Sequence, residues 1–326
     1  MTDTGLNTID LFGKRFDSIV SNVETVIQGK RDAIELLGLA LVSEGHVLIE
    51  DVPGVGKTQL AKSLARSIEG EFHRVQFTPD LLPSDVTGVS IWDRNENQFE
   101  FQPGPIFANI VVGDEINRAS PKTQSALLEA MEERQVTSDG VTRALDPPFM
   151  VIATQNPLEH EGTYPLPEAQ LDRFMMRVVI GYPSREKELE MLDTHGVRST
   201  FHDLDAVVSL QDVIEMVDIA RSVTVSASVK DYIVDLVEGT RLHPDVMLGA
   251  SPRSALFLQR ISRSRAAASG RDYVMPDDIK ELAGPVLEHR LSLRPEAHMR
   301  GETIDSIIAD VLGRIRVPGT TSRIAT

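Results

Sequence analysis

Apolar residues recur at helical spacing through residues 7–43. Ile9, Phe12, Phe16, Ile19 and Val20 share one face, and Ile34, Leu37, Ala40 and Leu41 share a second, with Ile27-Gln28-Gly29 between them. The pattern predicts two helices. From there, strand-length apolar runs at 46–50, 73–77, 110–113, 149–153 and 174–180 alternate with helical patterns at 57–69, 120–134 and 184–195. Alternation of this kind predicts an α/β fold, a parallel sheet with helices on both faces. Ser120 caps the helix at 120–134 and Pro121 suits its first turn, with Leu127, Leu128 and Met131 turned inward. Two stretches interrupt the alternation. Residues 83–104 read as an inserted hairpin, and 135–145 as a second one turning at Ser138-Asp139-Gly140.

After Tyr182-Pro183-Ser184 and a polar segment at 195–208, strand patterns nearly vanish and helices dominate. Val229, Ile233, Leu236 and Val237 form one apolar face, Ala255 to Ile261 a mixed one, and Ile279, Leu282, Val286 and Leu287 another. Gly284-Pro285 inside the last of these predicts a kink or break. A final helix is expected at 302–315, and 318–326 is expected to fray. The expected division is an α/β domain at 1–195 and an all-helical domain at 196–326.

Composition narrows the classes. A chain of 326 residues can fill two cores. It has no cysteine, which excludes disulfides and thiolate chemistry, and its eight histidines form no H-x-x-x-H pair. No secretory signal and no apolar run near the ~20 residues of a membrane helix is visible, so a cytoplasmic protein is expected. Forty-nine acidic against thirty-three basic residues give a net charge of −16, which argues against nucleic acid as the main partner.

The chemistry sits at the ends of the predicted strands. His46 to Thr58 runs an apolar strand into a turn ending Gly54-Val55-Gly56-Lys57-Thr58, where a helix begins and Gln59 follows. Backbone N–H groups there can surround a phosphate, aided by the helix dipole. Lys57 would reach the β- and γ-phosphates and Thr58 would ligate magnesium. Asp51 stands where the full loop pattern has glycine, a substitution that its tolerance of positive φ would explain. Ile110 to Glu115 is a short apolar strand ending in two carboxylates: Asp114 would hold the magnesium through water, and Glu115 would orient the attacking water. Phe149 to Pro157 ends in a neutral amide, Asn156, able to hydrogen-bond the γ-phosphate or the water.

With Leu166 to Phe174 and Gly249 to Arg253 added, these five motifs stand in the order found in MoxR-type AAA+ ATPases, which the chain resembles. The resemblance implies an ATP- and Mg2+-dependent P-loop NTPase with a five-stranded parallel sheet, inserted β-hairpins and a C-terminal helical lid. It implies that Asn156 is the first sensor and that Arg173 is a finger entering a neighbouring subunit's site. Arg253 is then the second sensor on the lid, and Ile27-Gln28 touches adenine. An arginine acting in trans implies a homo-oligomeric ring, a hexamer. The family further suggests a protein client carrying a von Willebrand factor A domain, remodelled in chaperone fashion. Related rings that unwind DNA give a competing reading as a nucleic-acid motor. Against it, the first hairpin offers only Arg94 and the second only Arg143 as basic residues. The chain could also serve as a chelatase-like subunit of a larger complex, or as a nucleotide-gated binding module that hardly hydrolyses.

Overall fold

The computed structural model describes residues 8–52, 54–156, 163–186, 188–189 and 204–318. Helices α1 (Thr8–Glu24) and α2 (Arg31–Val42) come first. Then follow β1 (Val47–Glu50), α3 (Lys57–Ser67), β2 (Phe72–Gln76), α4 (Pro83–Thr87), β3 (Gly88–Asp93), β4 (Gln98–Pro103) and β5 (Ile110–Asp114). After these come α5 (Pro121–Glu133), β6 (Gln135–Ser138), β7 (Val141–Ala144), β8 (Met150–Gln155), α6 (Glu168–Leu171) and β9 (Met176–Val178).

Five strands form one sheet in the order β2-β5-β8-β1-β9. The pairs β2–β5, β5–β8 and β8–β1 are parallel. All five residues of β5 and the first five of β8 are buried, as expected of strands covered on both faces. By contrast β2, at the sheet's edge, reads Phe-His-Arg-Val-Gln and buries only Val75 fully. Val75, Val111 and Val151 join Leu127, Leu128 and Met131 of α5 in one core, and the inward face expected of that helix is the observed one. Ser120 caps α5 by accepting the Thr123 N–H. A pair of two-stranded antiparallel hairpins, β3–β4 and β6–β7, accounts for the two interruptions. The first starts later than expected, because Pro83 opens the short helix α4 before Gly88 begins the strand.

Among the described residues there follow α7 (Leu210–Ser222), α8 (Ala227–Leu242), β10 (Val246–Leu248), α9 (Pro252–Ala268), α10 (Pro276–Leu287), a 3-10 turn (Glu288–Arg290), β11 (Ser292–Leu293), α11 (Pro295–Met299) and α12 (Ile304–Arg314). Helix α10 runs through Pro285 without a break. That proline lies in the last turn, and the Glu288 N–H still reaches the Gly284 carbonyl. The small β10–β11 sheet was not expected in a helical region. Nor was α7, although Ser209 and Asp212 cap its start reciprocally, with Ser209 N–H to Asp212 Oδ2 at 2.8 Å and Asp212 N–H to Ser209 Oγ at 3.2 Å. Of the helix expected at 184–195, residues 185, 186, 188 and 189 are helical and most of the rest lie outside the described residues. The fraying expected at the C-terminus also falls outside them, apart from residue 318.

Contacts divide the chain into two compact units. One comprises Arg15–Phe174 and Val178–Met216, the other Met1–Lys14, Met175–Arg177 and Val217–Thr326. No helix of the described residues is long and apolar enough to cross a membrane.

Candidate active site

The loop after β1 is held open by its own backbone and by one carboxylate. Gly54 and Gly56 both adopt φ of +87°, a conformation L side chains rarely take. Gly56 caps α3, whose first helical bond runs from the Leu60 N–H to the Gly56 carbonyl. The N–H groups of Lys57, Thr58 and Gln59 therefore have no carbonyl within the helix to serve, and they point out of its N-terminus. Asp51 is not among the residues with positive φ, so the expected reason for its presence is wrong. It is a buckle instead. Its Oδ2 accepts from the Ile180 and Gly181 N–H groups at 2.8 and 2.6 Å, and Oδ1 accepts from Val52 N–H at 2.8 Å. Lys57 Nζ donates to the Asp51 carbonyl at 2.5 Å and approaches the Gln155 carbonyl at 3.5 Å. Partial burial lowers the pKa of this ammonium below its ordinary value, while Asp51, Asp114 and Glu115 pull it back up.

The two acids are gripped from both neighbouring strands, because β5 lies between β2 and β8. From β8, the Thr154 hydroxyl donates to Asp114 Oδ1 at 3.0 Å and accepts the Glu115 N–H at 3.0 Å. From β2, Arg74 Nε donates to Asp114 Oδ2 at 2.6 Å, and Gln76 Nε2 to Glu115 Oε2 at 2.8 Å. Arg74 Nη2 also donates to Gln76 Oε1 at 2.9 Å. The Thr58 hydroxyl lies 3.3 Å from Asp114 Oδ2, and Arg118 pairs with Glu115 at 3.2 Å. Glu115 leaves the strand with φ 57° and ψ 50°, a left-handed turn costing about 1–2 kcal/mol in a residue with a Cβ. Just before it, Gly113 admits close packing: an added Cβ would meet the Phe77 ring at 3.1 Å and Leu127 at 3.6 Å.

Of the residues singled out from the sequence, Gly54, Gly56, Lys57, Thr58, Gln59, Asp114, Glu115 and Asn156 line one cleft of about 420 Å³. Arg74, Gln76, Thr154 and Gln155 complete its lining. Val55 belongs to the loop without lining the cleft. Arg173 does not line it either, and pairs with Glu132 at 3.1 Å. Arg253 sits in the first turn of α9, in the other unit. The roles of Arg74, Gln76 and Thr154 were missed. Their signal was the alternation of β2, which puts positions 74 and 76 on one face, and a hydroxyl one residue past the apolar run 149–153.

The donor set fits a phosphate with a small hard cation. Helix N–H groups and Lys57 suit the anion, and Thr58 with Asp114 suits magnesium, which keeps water and phosphate oxygens as its other ligands. Among the described residues there is no cluster of three or more His, Cys, Asp or Glu side chains placed for a metal. A cation here would share its shell with the phosphates.

A strand bearing the glycine loop, a strand with a polar tip beside it, an acid-tipped strand next, and helices C-terminal to the sheet define an α/β AAA+ module with a helical lid. Comparison with known proteins agrees. Residues 46–176 match the ATPase family associated with various cellular activities (AAA), and residues 238–311 match the AAA lid domain. The chain is 51% identical over 299 residues to the uncharacterized protein YeaC of Bacillus subtilis, covering 92% of this chain and 93% of that one. It is 42% identical over 308 residues to Chaperone MoxR1 of Mycobacterium tuberculosis, covering 92% and 81%. A crystal structure from Cytophaga hutchinsonii, described as a candidate ATPase, superposes with a TM-score of 0.89 at 40% identity, covering 95% of this chain and 97% of the other. The chain belongs to the MoxR family of AAA+ ATPases.

Proposed function

We propose that this chain hydrolyses ATP to ADP and phosphate with magnesium, and that it works as a homo-oligomeric ring, a hexamer, to remodel a protein client. One observation carries the hydrolytic reading: Lys57, Thr58, Asp114, Glu115 and Asn156, from three adjacent strand ends, line a single cleft. The chaperone name of a relative 42% identical to this chain supports a protein client. The family resemblance suggests a client bearing a von Willebrand factor A domain. We assign nucleotide chemistry to residues 1–195 and a lid function to 196–326.

In this reading Lys57 exchanges the carbonyls of Asp51 and Gln155 for phosphate oxygens, and the N–H groups of Lys57 to Gln59 cradle the same anion. Thr58 and Asp114 hold magnesium, which when bound neutralises charge on the β- and γ-phosphate oxygens. Glu115 orients the attacking water as it is released from Gln76 and Arg118. Asn156 steadies that water or the γ-phosphate without changing the charge. Arg173 from an adjoining subunit meets the charge that spreads over the γ-phosphoryl oxygens, and Arg253 reports the same phosphates to the lid.

The test is steady-state hydrolysis with retention of labelled ATP. Glu115→Gln should lose at least a hundredfold in turnover and keep the nucleotide, whereas Lys57→Ala should lose both. Glu115→Gln turning over at the wild-type rate would remove the basis of the proposal. Arg173→Ala subunits mixed with Glu115→Gln subunits should regain activity that neither has alone.

A further inference from the structure

The segment that carries Arg173 is strapped to helix α5 at several points. At its start, the Tyr164 N–H donates to the Asn117 carbonyl at 2.6 Å, and the Tyr164 carbonyl accepts from Gln124 Nε2 at 2.9 Å. Gln124, on α5, is buried at 1% exposure, and the same amide nitrogen lies 3.2 Å from the Ile116 and Ala119 carbonyls. Further along, Leu166 and Phe174 enter the core that Leu127, Leu128 and Met131 of α5 help to build, and Leu171 packs against it. Arg173 sits between two of these apolar anchors. Its N–H bonds to the Gln170 carbonyl at 3.2 Å, and that of Phe174 to the Leu171 carbonyl at 3.1 Å. The backbone is therefore fixed, while the side chain, about a third exposed, is not held by packing alone.

One acid gives that side chain a direction. Glu132 Oε2 lies 3.1 Å from Arg173 Nη2, and Glu132 stands in the last turn of α5, one residue past the buried Met131. The end of that helix is pinned in turn. Two residues on, Arg134 closes it at φ 51°, donating Nη1 to Glu44 Oε1 at 2.7 Å and Nη2 to the Glu44 carbonyl at 2.8 Å. A guanidinium offers five N–H donors in a rigid fork, enough to keep one carboxylate and still meet phosphate oxygens. A long side chain already oriented also loses less freedom when it docks. Neither Arg173 nor Glu132 lines the cleft of its own chain, so the pair is placed to act outside it.

We propose that Glu132 is a positioning residue for Arg173, presenting its guanidinium to the nucleotide of an adjoining subunit. Gln124 anchors the start of the segment, the apolar residues fix its path, and Glu132 sets the direction of the one side chain that has to cross the interface. Without the carboxylate Arg173 spreads over many rotamers. Chemistry then slows in the neighbour's site, while the cleft of the altered chain keeps its own residues and its own affinity.

This inference rests on the reading of Arg173 as acting in trans, and mixing of subunits separates the two. Titrated with a fluorescent ADP analogue and Mg2+, Glu132→Ala should bind as wild type does, yet lose about tenfold or more in kcat. Glu132→Gln keeps an acceptor in place and should recover part of that loss. Mixed with Glu115→Gln subunits, in which Arg173 is still held, Glu132→Ala should regain activity. Mixed with Arg173→Ala subunits it should regain none, because no subunit then presents a finger. The melting temperature checks folding, and Glu132→Gln goes through the same mixtures if Glu132→Ala fails to fold. Activity regained with Arg173→Ala, or none regained with Glu115→Gln, puts the defect in the chain's own site and overturns the proposal. An unchanged kcat also overturns it, and a raised one shows that Glu132 holds the finger back. If Arg173→Ala and Glu115→Gln subunits do not complement each other, the trans reading of Arg173 falls and takes this proposal with it.

Discussion

Replacing Thr154 by valine removes one oxygen and almost no volume, which makes it a clean probe of how the acids are held. The Thr154 hydroxyl is buried, donates to Asp114 Oδ1 and accepts the Glu115 N–H, each at 3.0 Å. Valine leaves both groups without a partner in a mostly dry setting. An unsatisfied buried polar group costs about 1–3 kcal/mol, and the near-isosteric change adds no cavity, so with two such groups roughly 2–6 kcal/mol of stability should be lost in total. Catalysis should suffer separately. Glu115 sits in a left-handed backbone conformation that the Thr154 contact helps to hold, and a displacement near 1 Å can cost on the order of a hundredfold in rate. The expected pattern is a kcat lower by roughly ten- to a hundredfold with KM for ATP little changed, because the phosphate loop is untouched. Urea melts and steady-state hydrolysis measure the two effects, and Thr154→Ser should recover most of both. A Thr154→Val protein with wild-type stability and wild-type kcat would show that this hydroxyl positions neither acid.

His46 is buried just ahead of β1, where Nδ1 accepts the Val151 N–H and Nε2 faces the Met131 carbonyl. Burial lowers its pKa from the ordinary 6.5 to about 4, with the Met131 carbonyl opposing the shift. Below pH 6.5 the unfolded chain takes up a proton that the folded chain refuses until about pH 4, so stability falls as pH drops through that window. The full loss is roughly 3 kcal/mol, and urea melts between pH 4 and 8 should show it in the wild type and not in His46→Gln. Asp51→Ala leaves the N–H groups of Val52, Ile180 and Gly181 without their carboxylate. That should cost on the order of 2–4 kcal/mol and weaken nucleotide binding, read by urea melts and by the fluorescent-nucleotide titration, with Asp51→Asn falling between. No change in nucleotide affinity would separate the Asp51 buckle from the loop it adjoins.

What could be read from the sequence follows a physical line. Strands β1, β5 and β8 are central and covered on both faces, so their apolar runs stand out, and the groups at their tips are named by spacing alone. Lys57, Thr58, Asp114, Glu115 and Asn156 were therefore legible. Arg74 and Gln76 were not, because their meaning depends on β2 lying beside β5, a pairing that spans about forty residues and leaves no local mark. Asp51 was noticed for the wrong reason. Its partners at Ile180 and Gly181 lie some 130 residues away, and without them a backbone explanation was the nearest at hand. Helix α7 is different in kind, since the Ser209–Asp212 capping box is local and lies just past the segment 195–208 read as a polar boundary.

The central claim is that the cleft among β1, β5 and β8 takes magnesium and a nucleoside triphosphate. A crystal structure of Glu115→Gln grown with ATP and Mg2+ tests it most directly. The account predicts a γ-phosphate between Lys57 and Asn156, and a metal held by the Thr58 hydroxyl and, directly or through water, by Asp114. Nucleotide seated elsewhere on the protein, or phosphates in the cleft with Thr58 and Asp114 both remote from any metal, would contradict it.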